Sequence, residues 1–277
     1  GRERELVDTL RTRAKLEAEP DAKRELLREA KVLAETTVND AALAESVLRQ
    51  MLDDNDADEW ALAELTVLRE NAGDFAETAK LLLRSAEVAP SGEDIVKLKH
   101  RAATVRREKL DDPSGAIELY EELFDNDPTD TRASDALRPL YTDAKKHREL
   151  ARLLERLVDV ADAQADRTRL RIELATLQAT QLDAASDAID ALRNVLEDEP
   201  GHPDAVVALS QLYEKTGKDD DLAELLTTQI AVAESRGDTS AELAFRVRLG
   251  EIYETRLGNA AKALETFLRP LLANSLL

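Results

Sequence analysis

This chain repeats itself every 72 residues, and few folds allow that. Ala116 matches Ala188 (188 − 116 = 72), and Ile117, Pro128, Leu137, Leu140 and Tyr141 match Ile189, Pro200, Leu209, Leu212 and Tyr213. A second shift sets Ala44, Leu48, Met51 and Leu52 under Ala188, Leu192, Val195 and Leu196 (188 − 44 = 144). Self-similarity at a fixed period is the mark of stacked like units, each burying its apolar face on its neighbour.

Each unit is helical. Apolar residues recur at helical spacing throughout, as in Ala188, Leu192 and Val195, and no segment alternates like a strand. Clusters of Pro, Gly, Asn and Asp predict helix breaks near residues 20, 39, 56, 73, 92, 113, 128, 145, 163, 184, 201, 218, 238 and 258. The result is about fifteen helices of roughly 13–19 residues, joined by the short turns of helical hairpins. Ala116 and Ala188 are small where two helices must approach closely, and Pro128 and Pro200 close their helices. The turns PSG, ASD and KDDD place Ser or Asp where a side-chain oxygen can cap the next helix.

The charge disfavours several partners. With 58 acidic against 38 basic residues the chain carries −20, so phosphate backbones and anionic membranes are repelled at long range. No apolar run approaches the roughly 20 residues of a membrane span, and no signal peptide opens the chain. A soluble protein is expected, cytoplasmic by default, with its compartment left open. There is no cysteine, which removes disulfides, thiolate metal sites and cysteine catalysis. The opening GRERELVDTL reads as a cut inside a helix, and LRPLLANSLL as an apolar end. Residues 1–277 are therefore expected to be a single repeat array, itself a fragment of a longer protein.

Nothing in the sequence organises chemistry. His100, His147 and His202 fall in different hairpins, without a second His or a carboxylate pair at metal spacing, and are expected at the surface. Nine scattered glycines make no phosphate cradle, and no nucleophile-elbow or zinc motif occurs. The acidic runs fail as calcium loops, which need Gly sixth and Glu twelfth. Counting from Asp54 these positions are Glu59 and Leu65; from Asp125 they are Asp130 and Ala136. No enzyme, cofactor or metal is expected.

The repeat resembles the tetratricopeptide repeat. Leu249-Gly250-Glu251-Ile252-Tyr253 has that family's first-helix pattern of Leu, a small residue and Tyr, and Ala263 and Phe267 supply part of its second helix. Ala116, Tyr120 and Pro128 have the second-helix spacing, as do Ala188, Leu192 and Pro200, while Ser210 and Arg138 stand in the small-residue slot. The resemblance implies an all-α, right-handed α–α superhelix of about seven and a half hairpins. It also implies a groove for a peptide or protein, lined by the first helix of each pair. Aligned on that pattern, the groove residues are Lys97, His100, Thr104 and Arg107, then Arg132 and Asp135, then Arg169, Ile172 and Thr176, and finally Val207, Gln211 and Glu214. Lys97, Arg107, Arg132 and Arg169 would offer cations to an acidic peptide, or would balance neighbouring acids. No Asn matches the family's carboxylate clamp. Trp60 is either a groove anchor or a packing residue between hairpins, with packing favoured.

The expected function is a non-catalytic scaffold or adaptor binding a protein or peptide, with no nucleic-acid partner and no membrane insertion. Two rivals stand beside it. One is a helper or sensor region of a larger enzyme or transcriptional regulator. The other is self-association through the apolar ends, where Leu271 and Leu276 would act.

Overall fold

The computed structural model describes residues 1–273, with side chains to residue 268. The side chain of Leu271 and all of Leu276 lie outside the described residues. The chain divides into two compact units, Gly1–Leu140 and Tyr141–Leu277. In the first, α1 (Arg2–Leu16), α2 (Pro20–Thr36), α3 (Ala41–Asp54) and α4 (Glu59–Asn71) lead to α5 (Phe75–Val88), α6 (Gly92–Lys109) and α7 (Pro113–Asn126). The boundary falls near the end of α8 (Thr131–Asp143). The second holds α9 (His147–Val160), α10 (Gln164–Gln181), α11 (Ala185–Asp198), α12 (Pro203–Thr216), α13 (Asp219–Arg236), α14 (Thr239–Thr255) and α15 (Ala260–Ala273). Among the described residues all regular structure is helical, with every break where the Pro, Gly, Asn and Asp clusters place it.

Within each unit a helix packs chiefly on its neighbours in the chain. The period is visible in the helices themselves: α3, α7 and α11 each run 14 residues and begin at 41, 113 and 185. Ala44, Ala116 and Ala188, the small residues of these three helices, are all 0 % exposed, which is what close helix approach demands. In the second unit Ile189, Leu192 and Val195 of α11 meet Leu209, Leu212 and Tyr213 of α12 and Leu222, Leu225 and Leu226 of α13. In the first, Val7, Leu10 and Ala14 of α1 share a core with Leu27 and Ala30 of α2, Val47 and Leu48 of α3, and Leu62 and Leu65 of α4. A Cβ at Gly250 would lie 2.4 Å from the Phe267 ring, so a larger residue there would have to displace that ring. Ser210, in the equivalent slot, is wholly buried.

Backbone handedness repeats as well. Asn39, Asp111 and Asp183 have φ of 53, 50 and 51°, and Gly73, Lys145 and Gly217 have 77, 54 and 68°. Each set is spaced at the 72-residue period (111 − 39 = 72, 145 − 73 = 72) and ends an even-numbered helix. The left-handed residue lets an amide just beyond the helix return to a free carbonyl, as Asp74 N–H does to Arg69 and Lys218 N–H to Tyr213. Lys145 holds with a Cβ the conformation that Gly73 and Gly217 hold without one, at a steric cost. Lys145→Gly is expected to raise stability by about 0.5–1 kcal/mol, after the flexibility glycine adds to the unfolded chain. An unchanged urea midpoint would refute this.

The capping expectation needs correction in three places. Of the two PSG turns, Ser91 does accept the Asp94 amide, but Ser114 lies inside α7, which Asp112 caps; Asp40, Asp58, Asp74 and Asp238 cap in the same way as Asp112. The ASD and KDDD turns do not: α11 and α13 begin after Ala184 and Lys218, with no side-chain cap. Asp219, Asp220 and Asp221 lie inside the first turn of α13, where they oppose the positive end of the helix dipole.

Candidate functional site

The even-numbered helices share one register. The five-residue frame of Leu249–Tyr253 recurs as 30–34 in α2, 65–69 in α4, 102–106 in α6, 174–178 in α10 and 209–213 in α12. The first residue of each frame is buried, whereas the middle residues Val32, Val67, Thr176, Gln211 and Glu251 are exposed and Thr104 is half-buried. Val207 and Val247 lie four residues before a middle position (211 − 207 = 4), Val96 and Leu243 eight before (104 − 96 = 8). These steps follow the ridge along one side of a helix. Val32, Val67, Val96, Val207, Leu243 and Val247 are 41–55 % exposed, so α2, α4, α6 and α12 each show solvent one large apolar side chain and α14 shows two.

Ion pairs join successive even-numbered helices within each unit. Lys31 of α2 meets Glu64 of α4, and Arg101 of α6 meets Glu70 of α4. In the second unit Arg248 of α14 meets Glu214 of α12 at 2.8 Å. Lys31 fills the small-residue slot of its frame and is 3 % exposed. Burial works to lower its pKa, but hydrogen bonds from its ammonium to Glu35 and Glu64 prevail and hold it above the ordinary lysine value.

The residues expected at the groove fall into different settings. Lys97 is exposed, and hydrogen bonding to Glu93 together with Asp94 nearby raises its pKa. Arg107 donates to Glu108 at 2.7 Å, and Arg106 lies 3.7 Å from Asp112. Lys99 reaches Glu122 on α7 at 2.5 Å, and its counterpart one period on, Arg171, reaches Asp198 on α11 at 2.5 Å. The cations of α6 thus stand among acids. Arg132 is exposed on α8. Thr104 is half-buried, its hydroxyl 3.2 Å from that of Tyr120. In the second unit Arg169 is exposed and donates to Asp166 at 2.9 Å, Gln211 is exposed, and Ile172 packs partly against the core.

His100 requires correction. It is 2 % exposed, with Nε2 2.6 Å from Asp130 and its ring tilted against Tyr120, so it is neither a surface residue nor a groove residue. Asp130 accepts the Ala133 amide at the start of α8, and His100 thereby fixes where that helix begins. Asp58, one period earlier (130 − 58 = 72), does the same for α4 with Arg24 as its partner. His202, one period later, caps α12 through Nδ1 and is half-buried, as is His147. Trp60 is half-buried, leaning on the first unit's core with the Arg28 guanidinium 4.6 Å above its ring.

Comparison with known proteins bears on the same frames. The family model of the tetratricopeptide repeat matches residues 205–240, which span α12 and α13. This chain carries tetratricopeptide-like repeats. Among solved structures, the crystal structure of MamA is 21 % identical, with a TM-score of 0.37 over 62 % of this chain and 94 % of that one. A tetratricopeptide repeat protein from Parabacteroides merdae is 13 % identical, with a TM-score of 0.36 over 88 % and 98 %. YrrB, described as a TPR protein with an unusual peptide-binding site, is 14 % identical, with a TM-score of 0.35 over 66 % and 90 %. No curated protein matches the sequence. Among the described residues no helix is long and apolar enough to cross a membrane.

Two features of these tetratricopeptide-like repeats escaped the sequence reading: the buried caps Asp58 and Asp130, and the valine strip. Both carry a signal. The 72-residue shift aligns the two aspartates, and aligning all the frames on Leu249–Tyr253 puts Val32 and Val67 at one position.

Proposed function

We propose that the chain is a non-catalytic scaffold that docks a partner protein or peptide on the side chains exposed along its even-numbered helices. The observation that carries the reading is the valine strip: Val32, Val67, Val96, Val207, Leu243 and Val247 stay exposed at steps of four in the shared register, while the first residue of each frame is buried. Apolar groups left in water at matching positions mark a surface that a partner covers. Within each unit the ion pairs between neighbouring even-numbered helices hold those side chains in place before binding, so little ordering there opposes association. Lys97 and Arg107 on one unit and Arg169 on the other supply cations for an acidic partner, each exchanging a weak exposed pair for a carboxylate of the ligand.

The test is capture of a stoichiometric partner from the source lysate at low and high salt, read by mass spectrometry. Reversing Lys97, Arg107 and Arg169 to Glu is expected to abolish capture at low salt while leaving helicity unchanged. Undiminished capture by that variant would sink the acidic-partner reading. An empty capture by the parent chain would sink the scaffold itself.

A further inference from the structure

The internal repeat acts as its own control, and one groove on the odd-numbered helices fails to match its copies. Between α11 and α13 lies a groove of about 490 Å³, floored by Leu196, Leu209, Tyr213 and Leu225 and walled by Glu197 and Glu224. One bridge across it recurs two periods upstream. Arg193 pairs with Asp221 at 2.9 Å, as Arg49 pairs with Glu77 at 3.6 Å (193 − 49 = 144, 221 − 77 = 144). The frame is the same, but what lies beside it differs. Positions 224 and 228 are Glu and Thr here, Lys80 and Arg84 two periods earlier, and Arg152 and Arg156 one period earlier. Arg84 lays its half-buried side chain toward the α3–α4 turn and donates to the Asp56 carbonyl at 2.8 Å. The matching carbonyl in the α11–α12 turn, that of Pro200, is reached by the buried Gln229 from the side, at 2.8 Å. Thr228 is too short to follow the path Arg84 takes.

The groove therefore keeps an apolar floor and acidic walls but lacks the long cationic side chains found in its copies. Arg193 is engaged by the Tyr213 hydroxyl at 2.8 Å as well as by Asp221. Among the described residues no ion pair joins a cation to Glu197 or Glu224. We propose that this groove takes a partner protein's segment bearing arginine beside a leucine-like side chain. The apolar stem would cover Leu196 and Leu225, and the guanidinium would meet Glu197 and Glu224, as Arg84 supplies its own stem and charge upstream. Such a pair combines apolar burial with charge-assisted hydrogen bonds. The groove takes Leu209 and Tyr213 of α12 into its floor but none of the exposed apolar side chains of the even-numbered helices, so it stands or falls independently of the docking surface there.

The probe is a short fluorescein-labelled peptide with arginine and leucine on one helical face, titrated by anisotropy in about 0.15 M salt, where general attraction is screened. Its control carries citrulline, the neutral isostere, for arginine. Glu224→Lys with Thr228→Arg restores the side chains of the first copy and should weaken arginine-peptide binding by about tenfold or more. Glu3→Lys with Thr12→Arg makes the same charge change on exposed positions of α1 and should leave binding at the parent level. Circular dichroism of all three proteins guards against misfolding. Equal affinity across the three proteins, equal binding of the citrulline peptide, or no binding to the parent chain would each overturn the proposal.

Discussion

Replacing Asp58 by alanine is expected to cost about 3 kcal/mol of folding stability, the sum of a lost helix cap near 1 kcal/mol and lost charge-assisted bonds near 2. Asp58 is 3 % exposed, and its two oxygens serve two helices. Oδ1 accepts the Ala61 amide at 3.0 Å and Arg24 Nη2 at 3.1 Å, while Oδ2 accepts Arg24 Nε at 2.6 Å. The Arg24 side chain is 41 % exposed, so water recovers part of its charge once the aspartate is gone. That is why the loss stays below what a sealed ion pair would show. Asp58→Asn keeps the cap and should recover roughly the capping share. Burial alone would raise the Asp58 pKa, yet hydrogen bonds from Arg24, Ala61 and Trp60 hold it below the ordinary carboxylate value. A depressed folded-state pKa stabilises above the unfolded value and is lost as pH falls through the folded one. The stability gap between the parent chain and the Asp58→Asn variant should therefore persist at neutral pH, begin to shrink near the unfolded value of about 3.9, and close only below the depressed folded value. Urea midpoints at two pH values read both effects; a shift under about 0.5 kcal/mol at neutral pH would refute the account.

Leu192→Ala is expected to cost about 3 kcal/mol, within the usual range for emptying a buried leucine site. Leu192 is 1 % exposed in the second unit's core, which it shares with Ala188, Val195, Leu222 and Leu226. The neighbouring alanines are already small and cannot grow into the cavity, so little of the loss is recovered by collapse. Val207→Ala is the internal contrast. Its side chain is 54 % exposed, so stability should change by no more than about 0.5 kcal/mol. If truncating Leu192 proves as mild as truncating Val207, the burial assigned to this core is wrong. If Val207→Ala is costly, the strip is structural rather than free to dock a partner.

Local signals made much of this legible. Helix boundaries are written in single residues, because Pro, Gly, Asn and Asp act on the backbone within a turn of where they stand. The period is written in apolar spacing, and it carried over intact into helix starts at 41, 113 and 185. Misreadings began where a residue's setting depends on a distant one. His100 looked like a surface histidine beside lysines and an arginine; Asp130, 30 residues away, shows why it is buried. On sequence alone Lys97 and Arg107 either offer cations to a ligand or balance neighbouring acids; on their helix the acids that meet Lys97, Lys99, Arg101 and Arg107 come from three helices, α4, α6 and α7.

By itself the sequence determined the all-helical hairpins, their lengths and the repeat that relates them, since propensity, turn chemistry and periodicity act over a few residues. Only the tertiary structure decided which acid meets which cation, which polar groups are buried, and which apolar side chains stay in water. Those outcomes follow from helix faces meeting across 20 to 40 residues of chain, a distance that local pattern does not reach.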